Sequence, residues 1–197
     1  MSVAPARASI VVQRIADSIA VKQRLLNDEQ YLADLSAVGV AMADALRSGC
    51  KILLLGNGGS AADAQHFAAE LAGRYMRERA PLAAMALTVN SSSLTAIGND
   101  YGYDMVFARQ LQGLGSKGDV VVGLTTSGNS TNVLRAMEVC KAKCMVSVGM
   151  TGKTGGSLRQ LVDFCLCVPS EETPRIQEAH ILTGHILCEI IEDELFS

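Results

Sequence analysis

The sequence predicts an open α/β sheet with helices packed against it, preceded by a helical N-terminal region. Two observations carry this. Five short apolar runs, KILLL (51–55), AAMALTV (83–89), DVVVGLT (119–125), MVSVGM (145–150) and FCLCV (164–168), are nearly uninterrupted. Strands covered on both faces of a parallel sheet read this way. Helical segments fall between the runs, and strand–helix alternation of this kind places ligands at the carboxyl ends of strands.

In chain order, SIVVQRIADSIAVKQRLL (9–26) and EQYLADLSAVGVAMADALRSG (29–49) repeat apolar residues at spacings of three and four, so both read as helices. They precede any strand and are free to cap the domain or pair with another subunit. After KILLL, helical segments are expected over 60–76, 93–115, 130–143 and 155–162. A final helix, PRIQEAHILTGHILCEIIEDELF (174–196), opens with proline at a first-turn position. With 197 residues and neither linker nor repeat, one domain is the simplest organisation.

Hydrophobic residues make up 49% of the chain and charged residues 19%, which suits a filled core and argues against disorder. The net charge of −3 gives no electrostatic reason to expect nucleic acid. The basic residues of ERAPL and KAK are too few to form a binding stripe. No apolar stretch is long enough to span a membrane, and MSVAPARASIVVQRIADS, interrupted by Arg14 and Asp17, does not read as a signal peptide. The six cysteines, at 50, 140, 144, 165, 167 and 188, contain no CxxC pair; Cys165 and Cys167 alternate in FCLCV. Buried, reduced thiols of a cytoplasmic protein are expected.

Two loops have the form of anion cradles. Gly56-Asn57-Gly58-Gly59-Ser60 follows the first apolar run and opens a helix, where free backbone N–H groups meet an anion. Ser60 and Asp63 have capping-box spacing. Gly56-x-Gly58-x-x-Ala61 loosely matches a dinucleotide fingerprint, but TVNSSS at the end of the second run offers no acid for a ribose. The second loop, Thr125-Thr126-Ser127-Gly128-Asn129-Ser130-Thr131, places five hydroxyls around a glycine before a helix. These are good phosphate donors that avoid burying a lysine; the bland alternative is a polar loop with Ser130 as N-cap. Gly152-Lys153-Thr154 fails as a nucleotide P-loop because residue 147 is serine.

His66 and Glu70 lie four apart, on one face of the expected helix. The last helix adds Gln177, His180 and His185. Gln177 and His185 are eight residues apart, about 80° around a helix and two turns along it, so both can border one cavity. His66, Glu70, Gln177 and His185 offer the N and O donors that zinc accepts. His180, alone on an apolar helix, reads as structural. A carboxylate and a histidine beside a phosphosugar suit proton transfer between adjacent carbons. Glu70 would remove a proton next to a carbonyl, and His185 would exchange a proton with the oxygen.

GNGGSAADAQHFAAEL, LTAIGNDYGYD, TTSGNS and RIQEAHILTGHILCEIIE together resemble the phosphoheptose isomerases of the sugar-isomerase (SIS) domain superfamily, from about Asp28 to the C-terminus. The resemblance implies a three-layer αβα sandwich around a five-stranded parallel sheet, with N-terminal helices at about 8–49 and the α/β core at about 50–197. It implies a homotetramer with active sites between subunits, in the cytoplasm. It implies conversion of sedoheptulose 7-phosphate to D-glycero-D-manno-heptose 7-phosphate, the first step toward lipopolysaccharide, S-layer or capsular heptoses. On it, Glu70 is the general base and His185 the acid/base partner, and His66, Glu70, Gln177 and His185 hold one Zn2+ per subunit. Asn57, Gly58, Gly59, Ser60, Glu70, Arg74, Asn99, Asp100, Thr125, Thr126, Ser127, Ser130 and Gln177 match substrate-contacting positions, with Arg74 one helical turn beyond Glu70.

The hydroxyl loop begins Thr125-Thr126-Ser127 where the family more often has Ser-Thr-Ser, and Val89-Asn90 stands where Thr-Asp is common. Two other functions remain open on this resemblance. One is a non-catalytic tetramer that binds the replication initiator DnaA; the relative that does so lacks the acid/base pair, and this chain has both members. The other is isomerisation of a different sugar phosphate by the same residues. A regulatory phosphosugar sensor would need a DNA-binding module, for which the sequence gives no sign.

Overall fold

The computed structural model describes residues 5–196, with side chains from residue 9 onward. The first four residues of the segment read as lacking a signal peptide, and Ser197, lie outside the described residues. Helices α1 (Pro5–Leu26) and α2 (Glu29–Arg47) come first, as their periodicity predicts. Asp28 separates them and caps α2, accepting from Tyr31 N at 3.0 Å.

Strands β1 (Ile52–Gly56), β2 (Ala84–Ala86), β3 (Val120–Leu124), β4 (Val146–Thr151) and β5 (Phe164–Cys167) form one parallel sheet in the order β2-β1-β3-β4-β5. Both faces are covered. Ile52, Leu54, Val120, Val122 and Met150 pack with α1, α2, α3 (Gly59–Ala72) and α7 (Thr173–Phe196). Leu53, Leu55 and Val121 pack on the other side with α4 (Ser91–Tyr101), α5 (Val106–Leu114) and α6 (Thr131–Ala142). Double coverage is why β1 and β3 are apolar at every position, since each side chain, whichever way it points, meets a helix. The expected αβα sandwich with N-terminal helices is borne out.

Several local expectations are corrected. The second apolar run supplies only three strand residues, because the Asn90 side chain accepts from Ser93 N at 2.9 Å and starts α4 at once. The uncommon Val89-Asn90 thus has a job as a helix cap. The stretch 93–115 is not one helix: the chain turns at Gly102 into a short 3-10 segment before α5. GGSLRQLV forms a 3-10 turn, Gly156–Gln160, tied to the hydroxyl loop by Leu158 N donating to Gly128 O. Helix α3 stops at Ala72, so Arg74, Tyr75 and Met76 lie beyond it.

Candidate active site

In the strand order 2-1-3-4-5 the connections reverse direction between β1 and β3, and an open α/β sheet binds ligands at that crevice. The glycine loop leaves β1 there, and the hydroxyl loop leaves β3 beside it. Gly58 has φ +55°, a left-handed conformation that glycine adopts without cost, and it is the N-cap of α3. A Cβ on Gly59 would come within 2.4 Å of Gln177 Nε2, so a side chain there would push the Gln177 amide out of its present position. Ser60 is buried inside the first turn of α3, and no side chain caps that helix, so the expected Ser60–Asp63 capping box does not form. Asp63 keeps one buried oxygen without a partner, and burial pushes its carboxyl above the usual range.

A cavity of about 210 Å³ opens at the switch point, lined by Asn57, Ser60, Thr125, Thr126, Ser127, Ser130, Thr173 and Gln177. Its hydroxyls are pre-aligned. Thr125 Oγ1 lies 2.8 Å from Ser130 Oγ and 3.4 Å from Ser127 Oγ. Ser130 is the N-cap residue of α6 by position, but its hydroxyl faces Thr125 rather than an amide of that helix. Asn57 and Asn132 exchange two hydrogen bonds of 2.9 Å, which ties the two loops together. Tyr103 Oη donates to Asn57 Oδ1 at 3.3 Å. The Gly152-Lys153-Thr154 stretch buttresses the same loop, Gly152 N donating to Thr126 O at 3.1 Å.

Helices α3 and α7 run side by side in the same direction, Gly59 against Gln177 and Phe67 against Gly184. The second pair of contacts brings His66 Nε2 to 3.0 Å from His185 Nε2 and 3.3 Å from Glu70 Oε1. Donor atoms of His66, Glu70 and His185 all lie within 4.8 Å of one another. Facing imidazole nitrogens need a proton or a cation between them. Ligands about 2.0–2.1 Å from a tetrahedral Zn2+ stand roughly 3.4 Å apart, so this spacing fits one small cation. Gln177 sits eight residues up α7, on the order of 12 Å along the axis, with its amide against Gly59 and the hydroxyl cavity. The Tyr75 ring stacks on His185, centroids 5.6 Å apart and 20° between planes.

The other expected residues are placed differently. Arg74 is exposed beyond α3 and pairs with Glu78 at 3.5 Å. Asn99 and Asp100 lie on the exposed side of α4, bonded to each other at 2.8 Å, outside the cavity lining. His180 is buried, its Nε2 3.2 Å from Thr151 O, and burial lowers it to about 4, so it stays neutral at ordinary pH. Asn132, Thr173, Tyr75 and Tyr103 were not anticipated. Tyr75 and Tyr103 lie within segments already singled out, 60–76 and LTAIGNDYGYD, but nothing in their spacing marks them, and each of the four reaches the site through the fold.

A doubly wound sheet with two anion loops at its switch point and a His–Glu–His cluster alongside defines a class, the sugar-phosphate isomerase domains. The chain belongs to the SIS domain family, whose model matches residues 15–152, and within it to the phosphoheptose isomerases. It is 52% identical over 188 residues to phosphoheptose isomerase 2 of Campylobacter jejuni, covering 95% of this chain and 94% of the relative. It is 50% identical over 186 residues to phosphoheptose isomerase of Aneurinibacillus thermoaerophilus, covering 94% of each. The solved phosphoheptose isomerase of Neisseria gonorrhoeae superposes with a TM-score of 0.89 at 43% identity, over 94% of this chain and 98% of that one. That of Francisella tularensis gives 0.89 at 37%, over 95% and 98%.

Proposed function

We propose that this isomerase converts sedoheptulose 7-phosphate to D-glycero-D-manno-heptose 7-phosphate, the first step toward the heptoses of lipopolysaccharide, S-layer or capsule. The observation that carries the reading is the pairing of a hydroxyl-lined anion cavity with an acid/base cluster two turns further along the same pair of helices. The hydroxyls of Thr125, Thr126, Ser127 and Ser130 hold the phosphate, with the α3 and α6 N-termini adding N–H groups. Asn57, Gly58, Gly59 and Ser60 line the approach, and Gln177 orients the sugar between the two ends. Arg74, Asn99 and Asp100 are proposed to contact sugar in the assembled enzyme, since none lines the cavity of one chain.

Glu70 takes the proton from C1 of the ketose, and the electron pair forms the C1–C2 double bond of an enediol. His185 moves the hydroxyl proton from O1 to O2. Return of the proton to C2 completes the aldose, so no atom is gained or lost. The cluster fits a zinc ion held by His66, Glu70 and His185, while Gln177, the fourth ligand implied by the family resemblance, sits at the hydroxyl cavity instead. When bound, the ion would stabilise the negative charge that develops on the two oxygens.

The chain is read as one domain that works as a homotetramer in the cytoplasm. The cavity of about 210 Å³ is smaller than the roughly 300 Å³ or more of a typical ligand site, which agrees with a site completed by a second subunit. Ile10, Val12, Ile15 and Ile19 are each at least half exposed on α1, a stripe suited to a partner helix. Among the described residues no helix is long and apolar enough to cross a membrane.

The test is turnover of sedoheptulose 7-phosphate by wild type and Glu70→Gln, each with and without zinc after chelation. Turnover by wild type alone is expected. A folded, zinc-loaded wild type without turnover overturns the assignment of this sugar.

A further inference from the structure

Strand β5 is the outer strand of the sheet, and Cys165 and Cys167 project from the same face of it. Their sulfurs are 3.6 Å apart. Thr151 Oγ1 lies 3.4 Å from Cys167 Sγ and 3.9 Å from Cys165 Sγ. The pair borders a cavity of about 270 Å³ whose wall includes Asp28, Asp34, Lys153 and Arg159. Neither cysteine belongs to the isomerase site, and both are only half-buried.

These two thiols differ from Cys140 and Cys188. Cys140 and Cys188 are buried, and burial pushes each up to about 12, where a thiol neither ionises nor binds metal. Cys165 and Cys167 instead share a hydrogen bond with each other, and the Thr151 hydroxyl lies against both sulfurs.

We propose that Cys165 and Cys167 form a second metal site, a dithiolate chelate for one soft divalent cation such as Zn2+ or Cd2+. The sulfur spacing supports it. Two thiolates at about 2.3 Å from a tetrahedral ion stand roughly 3.8 Å apart, and here they already stand at 3.6 Å. The charges agree as well. The cavity wall holds as many acids, Asp28 and Asp34, as bases, Lys153 and Arg159, and Lys153 is paired with Glu171 at 3.7 Å, so the wall leaves no excess positive charge to oppose a divalent ion at the dithiolate. Binding forms two S–metal bonds and releases to solvent the thiol protons still present. No electron is transferred, and water fills the remaining positions. A disulfide is the poorer outcome, because residues two apart on a strand have Cα atoms about 6.6 Å apart, near the limit for bridging.

The experiment titrates the metal-stripped full-length protein with Cd2+ alone and follows the ultraviolet thiolate-to-metal charge-transfer band, to which His66, Glu70 and His185 do not contribute. It should saturate by two equivalents at most, since the His66–Glu70–His185 cluster takes up the ion without adding to the band. Cys165→Ser and Cys167→Ser should each weaken Cd2+ binding about tenfold or more, while Cys50→Ser, Cys144→Ser and the turnover of zinc-loaded Cys167→Ser stay at wild-type level. A band that survives the double variant, or no band, overturns the proposal. Should the variants fail to fold, wild type decides. Cd2+ should protect Cys165 and Cys167 from alkylation, located by peptide mass, and unchanged alkylation of both rejects the site.

Discussion

Arg79 and Glu192 form an ion pair, Nε to Oε1 2.8 Å, with both side chains 2% exposed or less. Glu192 also accepts from the backbone N–H groups of Tyr75, Met76 and Arg77 at 3.0 Å each. Arg79 donates to the carbonyls of Glu70, Leu71, Gly73 and Ala80. The pair therefore closes the open carbonyl end of α3 and fixes the segment that carries Tyr75 onto His185. Breaking a buried pair from one side strands the other charge and costs about 3–5 kcal/mol. Arg79→Met should lower unfolding free energy by that order in urea titrations, and its residual folded fraction should lose turnover because Glu70 and Tyr75 are no longer held.

The same carboxylate predicts an acid limb. Burial alone would raise Glu192, but three amides and Arg79 outweigh it and hold the group below its ordinary value. Its contribution is complete above the unfolded carboxylate value near 4.3 and is lost as pH falls through the lower folded value. Stability curves of wild type and Glu192→Gln should therefore converge on acidification below about pH 4. A constant gap down to pH 2 rejects this.

The hydroxyl loop should act on affinity more than on rate. Thr125→Val removes the hydroxyl bonded to Ser130 while keeping the volume of the side chain. One lost hydrogen bond to a charged group is worth about 1.5–3 kcal/mol. KM for the sugar phosphate should rise at least about tenfold, with kcat changed far less. Equal loss in both constants would place the loop in the chemical step instead.

The layout of the site was legible where the chemistry is local in sequence. His66 and Glu70 meet because i and i+4 share a helix face, and the glycine and hydroxyl loops follow apolar strands. What was not legible depends on the order of strands in space. Asn57 meets Asn132, 75 residues on, because β1 and β3 are neighbours. Arg74 was placed on a helix by its spacing from Glu70, yet α3 ends at Ala72 because Arg79 supplies partners for its last carbonyls from outside. Arg79, within ERAPL, carries no sequence signal of burial, since its partner Glu192 is 113 residues away.

Apolar exposure on α1 makes a further prediction. Val12→Glu with Ile15→Glu should shift the assembly toward smaller species in sedimentation without unfolding the chain, because the other face of α1 keeps Val21 and Leu25 in the core. Turnover should fall in step with dissociation if a second subunit closes the site. A small species with full turnover would reject the shared site.

His180 provides the last prediction. Its Nε2–H donates to Thr151 O, while Nδ1 is buried without a partner, so a proton there has nowhere to be solvated. Burial lowers the group to about 4 in the folded protein, against about 6.5 when unfolded. Between these values the unfolded chain binds a proton that the folded chain does not, so stability falls as pH drops from 6.5 toward 4. The loss between pH 7 and pH 5 is of order 2 kcal/mol. His180→Asn retains a donor toward Thr151 and cannot titrate. Its stability relative to wild type should therefore improve by about that amount from pH 7 to pH 5 in urea titrations. A parallel pH dependence in the two proteins would mean that His180 is reached by water and protonates in the folded state.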